Sequence, residues 1–68
     1  MIRVENLQQD AETSELVDAY LDLLRIRFDS PHREMARKAM CVLRDQIAER
    51  TGYSREDVQT ACEVVGAH

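Results

Sequence analysis

The stretch "ELVDAYLDLLRIRF", residues 15–28, carries more apolar surface than one side of a helix can hide. Placed at about 100° per residue, Leu16, Val17, Ala19, Tyr20, Leu21, Leu23, Leu24, Ile26 and Phe28 sweep an arc of about 220°, whereas a helix lying on one core needs a stripe of roughly 100°. Ser14, Glu15, Asp18, Asp22 and Arg25 fill the narrow polar remainder. A helix patterned in this way must pack against two bodies. One flank, Leu16, Ala19, Leu23 and Ile26, is expected to lie on the next helix, leaving Val17, Tyr20, Leu21, Leu24 and Phe28 to meet a second copy or a foreign protein. The pattern itself does not distinguish the two flanks.

A second helix opens at "DSPHRE": Ser30 suits the N-cap, Pro31 the first helical position, where its missing N–H costs nothing, and Glu34 the positive end of the helix dipole. Met35, Ala36, Ala39, Met40, Val42, Leu43 and Ile47 follow on an arc of about 160°, an ordinary amphipathic stripe that continues to about residue 50. Gly52 supplies a left-handed stop. The short connection "FDSPH" predicts that the first two helices form an antiparallel hairpin.

Local signals set the third helix. Ser54 and Asp57 stand at the spacing of a capping box, and Tyr53 and Val58 at that of a hydrophobic staple. Val58, Ala61, Cys62 and Val65 then recur at i, i+3, i+4 and i+7, so this helix should dock through Val58 and Val65. The helices are expected over about 14–28, 31–50 and 55–65, with residues 1–12 an extended arm or an early start to the first helix, capped by Asn6 or Gln9. The expected architecture is all-α: one small domain over residues 1–68, a helical hairpin plus a short third helix, paired as a homodimer.

Sixty-eight residues make one small domain, which buries only about 60% of the surface of its unfolded chain. A partner subunit would relieve that shortfall. Cys41 and Cys62 show no C-x-x-C spacing, and no signal-peptide pattern or long apolar run is present, so a reduced, cytoplasmic protein without a membrane span is expected. Cys62 should be a small buried hydrophobe. For Cys41 the favoured reading is packing beneath the third helix, the alternative an exposed thiol.

Charge separates the remaining functional classes. Residues 1–24 hold six acids against Arg3, residues 31–50 are net basic, and the whole chain carries −4. Ala48, Gly52 and Val58, after Ile47, match the spacing of a helix-turn-helix, so a small DNA-binding transcription regulator is the alternative function. A recognition helix must present donors to bases and phosphates. The third helix instead offers Glu56, Asp57 and Glu63 against Arg55, which makes nucleic acid an improbable partner.

Arg33, Arg37 and Arg44 fall within about 40° of one another on the second helix, a basic stripe that fits an acidic partner surface or a solvated face. No catalytic set can be assembled from His32 and His68. His32-Arg33-Glu34 matches half of a zinc deaminase signature whose P-C-x-x-C half is missing. No enzyme, metal or cofactor is expected.

The small size, acidic balance, helical hairpin and the run "RFDSPHREMARKAMCVLRDQIAERTGYS" resemble the small phage-encoded quorum-sensing anti-activators over residues 15–65. Those proteins are short helical dimers that inhibit a LuxR-type autoinducer receptor and can also block the pilus assembly ATPase. The resemblance implies a non-enzymatic interaction protein that binds and inhibits or modulates a host regulatory protein in the host cytoplasm.

Overall fold

The computed structural model describes residues 2–25 and 33–66. Those residues are all-helical: α1 spans Val4–Leu7, α2 Ala11–Leu24, α3 Arg33–Thr51 and α4 Arg55–Gly66, and no strand occurs among them. None of these helices is long and apolar enough to cross a membrane. Ile26, Phe28, Ser30, Pro31, His32 and His68 lie outside the described residues, as does the expected hairpin connection.

The N-terminal segment departs from the extended arm expected for residues 1–12. Val4 and Leu7 form a single helical turn, closed by Asn6 Oδ1 accepting the Arg3 amide at 2.9 Å. Leu7 is fully buried and Val4 nearly so, because the turn lays both side chains on the same side, against the rest of the core. Burying one such side chain is worth about 1.5–3 kcal/mol, which makes an arm free in solvent the costlier state. The next helix starts at Ala11, since Asp10 adopts an extended backbone and its Oδ1 accepts the Thr13 amide at 2.7 Å. Asn6 thus closes α1, and Asp10 caps α2.

The corner between α3 and α4 follows the local signals. Gly52 has φ 83°, a left-handed conformation that L side chains rarely adopt, and its amide donates to Ala48 O at 2.9 Å. Ser54 Oγ accepts the Asp57 amide at 3.1 Å, and Tyr53 packs against the core beside the fully buried Val58. A hydroxyl bond from Thr51 Oγ1 to Ile47 O at 2.7 Å secures the last turn of α3.

Around this corner the helices enclose one core of Val4, Leu7, Val17, Tyr20, Ile47, Val58, Ala61 and Cys62. α2 packs on both α3 and α4, and α1 bridges α2 and α4. The first turn of α2 faces the last turn of α3, where Arg50 Nη1 lies 2.8 Å from Glu12 Oε2. Three residues expected on apolar faces are exposed. Met35 and Val42 are 72% and 56% exposed, because the buried line of α3 runs through Ile47 with Leu43 and Met40 and leaves the other edge of the stripe outside. Val65 is exposed as well, so α4 docks through Val58, Ala61 and Cys62.

Candidate interaction groove between α2, α3 and α4

The two sets of expected partner-binding residues separate in the fold and then partly reunite. Val17 and Tyr20, expected at an outer interface, are buried at 0% and 3% exposure. The correction has a direct cause: α1 and α4 cover this flank of α2, so the second body required by the wide apolar face comes from the same chain. Leu21 and Leu24 are half-buried, and Phe28 lies outside the described residues. Of the basic stripe, Arg33 and Arg37 are exposed while Arg44 is half-buried.

Arg44 is held in place by α4. Its Nη1 donates to Gln59 Oε1 at 3.0 Å, and its Nε lies 3.5 Å from Asp45 Oδ1, which is also 3.2 Å from Arg55 Nε. The Arg44 to Asp45 contact is an ion pair without hydrogen-bond geometry: Arg44 Nε and Asp45 Oδ1 are both shielded from solvent and make no hydrogen bond. Such anchoring orients one guanidinium along α3 and spends part of its hydrogen-bonding capacity within the fold.

A groove of about 360 Å³ is lined by Tyr20 and Leu24 of α2 and by Arg37, Met40, Cys41 and Arg44 of α3. Gln59 and Glu63 form the opposite wall, joined by a 3.0 Å bond from Gln59 Nε2 to Glu63 Oε1. The spacing of Arg37, Met40, Cys41 and Arg44 at i, i+3, i+4 and i+7 places them on one side of α3. Tyr20 and Leu24 from the apolar flank thereby meet two arginines of the stripe, while Arg33 stays outside this lining. Burial, with smaller contributions from Cys62 and Glu63, pushes the Tyr20 hydroxyl up to about 12, so it remains a neutral phenol at physiological pH.

Cys41 is exposed on this groove rather than packed beneath α4, because the side of α3 that carries it turns past the core line of Ile47. Cys62 is buried, and desolvation followed by the neighbouring Glu63 pushes its thiol up to about 11. A cleft of different character lies on the other side of the α2–α3 seam. Glu12, Glu15 and Glu49 line it with Leu16, Gln46 and Arg50, giving about 640 Å³ of acidic opening. Among the described residues no group of three His, Cys, Asp or Glu side chains is placed to hold a metal ion.

The groove can accept an apolar side chain while offering guanidinium groups to a neighbouring carboxylate. Sequence reasoning missed its α4 wall, since Gln59 and Glu63 reach Arg44 and Tyr20 only through tertiary packing. Comparison with family models, curated proteins and solved structures finds no match for this chain.

Proposed function

We propose that this is a non-enzymatic interaction protein, a homodimer of helical hairpins, that binds and inhibits or modulates a host regulatory protein in the cytoplasm. The observation that carries this reading is the convergence of Tyr20, Leu24 and Met40 with Arg37 and Arg44 in one groove. Apolar side chains lined up beside arginines suit a partner segment that pairs an apolar anchor with a carboxylate. Resemblance to the phage anti-activators supports a LuxR-type quorum-sensing regulator as that partner, with the pilus assembly ATPase as a second target.

The DNA-binding alternative is disfavoured by the surface of α4. Its exposed face carries Glu56, Asp57 and Glu63, and Arg55 is already paired to Asp45. These carboxylates would face the phosphate backbone.

The test is a fluorescence titration of a purified LuxR-type receptor with the wild-type protein and with Arg37→Glu. Saturable binding that Arg37→Glu weakens roughly tenfold or more is expected. Binding that ignores the substitution removes the groove from the interface. A parallel titration with mixed-sequence duplex at about 50 mM and about 200 mM salt reads phosphate contacts directly. Salt-sensitive micromolar binding there would overturn the interaction reading in favour of a DNA-binding regulator.

A further inference from the structure

Two unlike charges line the α2–α3–α4 groove without neutralising each other. Arg37 of α3 and Glu63 of α4 are both exposed on its lining, and among the described residues no ion pair or hydrogen bond joins them. Nearer the α3–α4 corner the two helices are tied together: Arg44 Nη1 donates to Gln59 Oε1 at 3.0 Å, and Gln59 Nε2 donates in turn to Glu63 Oε1 at 3.0 Å.

This relay makes the charged groups of the groove inequivalent. It spends one N–H of Arg44 inside the fold, and the Asp45 carboxylate 3.5 Å from Arg44 Nε offsets the charge of that guanidinium. The cation left for a partner is therefore Arg37, which makes no hydrogen bond or ion pair with another described residue. On α4, Gln59 holds one oxygen of Glu63 and leaves the other unengaged among the described residues. A purely acidic segment does not complement such a groove, because whatever satisfies Arg37 also meets the like charge of Glu63. A segment with a carboxylate on one flank of its apolar anchor and a cation on the other satisfies both.

We infer that the groove takes an amphipathic helix of another protein whose apolar line is flanked by carboxylates on one side and by cationic side chains on the other, the carboxylates on Arg37 and the cations on Glu63. Glu63 then rejects segments that carry carboxylates on both flanks. The inference rests on the groove reading of the proposed function and adds the second charge.

Fluorescence anisotropy with three labelled, alanine-based peptides of about 20 residues, long enough to be helical, tests it. The first carries leucines between a row of glutamates and a row of lysines, the second has glutamine for every lysine, and the third glutamate for every lysine. Reversing a helix end for end exchanges its flanks, so the first peptide can present its acids to α3 whichever way the groove runs. On the wild type, the first is expected to bind saturably, the second roughly threefold more weakly and the third more weakly again. Glu63→Gln, whose amide oxygen still accepts from Gln59, should weaken the first peptide by the same factor and abolish its advantage over the second. The chain's overall −4 also favours the less acidic peptide, but that preference survives Glu63→Gln. Equal binding of the first two peptides by the wild type, or an advantage that Glu63→Gln leaves intact, overturns this inference alone. Failure of every peptide to bind below about 1 mM, or binding that ignores Arg37→Glu, overturns the groove reading as well.

Discussion

Asp10 Oδ1 accepts the Thr13 amide at 2.7 Å, and this contact begins α2 at Ala11, ahead of the polar "SE" pair where the amphipathic pattern starts. Asp10→Ala should lower the melting temperature by several degrees, on the order of 5 °C. Bonding to Thr13 holds the Asp10 carboxyl below its ordinary 3.8. A carboxylate with a depressed native pKa stabilises the fold above its unfolded value, and the contribution is lost as pH falls through the native one. The gap in melting temperature between wild type and Asp10→Ala is therefore full at neutral pH and closes in strong acid. A gap that stays constant between pH 7 and pH 2 would contradict the capping role.

Leu7 belongs to a helix of only four residues, yet it is fully buried. Leu7→Ala should cost about 2–5 kcal/mol, a large share of the stability available to so small a domain. Urea unfolding monitored by far-ultraviolet circular dichroism measures this. A loss under about 1 kcal/mol would mean that the N-terminal turn is not part of the core.

At Gly52 the backbone is left-handed, and a Cβ would meet no atom within 4 Å. Any penalty from Gly52→Ala is thus conformational, about 1–2 kcal/mol. Gly52→Asn should be milder because asparagine visits this region more readily. Equal melting temperatures for the three proteins would be the contrary result.

The two thiols should separate chemically. Cys41 is exposed, while Cys62 is buried with its thiol pushed up to about 11. At pH 8 a maleimide should attach once per native chain and twice after denaturation, with Cys41→Ser abolishing the native reaction. Fast labelling of Cys62 in the native protein would contradict its burial.

How much of this could be read in advance depends on the range of the interactions. The α3–α4 corner was legible because Gly52, Ser54, Asp57, Tyr53 and Val58 act within a few residues of one another. The covered flank of α2 was not: Val17 and Leu23 are equally apolar, and α1 and α4 select between them by docking from the two ends of the described chain. Val4 stands two residues from Ile2, a strand spacing, and three from Leu7, a helical one, so a segment this short did not declare its helical turn, and Asp10 before "AETSEL" was the cap overlooked. At the groove, the helical spacing of Arg37 and Arg44 was visible in the sequence. Their neighbours Tyr20, Gln59 and Glu63 lie far along the chain, where no periodicity connects them.

The contact of α1 with α4 also orders events during synthesis. Val4 and Leu7 are made well before α4 but find part of their burial only on that helix, so the nascent chain carries unsheltered apolar side chains until α4 is made. Closing so long a loop opposes early docking, and the core is completed only after α4 has emerged. A nascent chain stalled before α4 would present the uncovered side of α2 to chaperones and proteases. Quality control could thereby recognise an unfinished copy by the surface that the finished one hides.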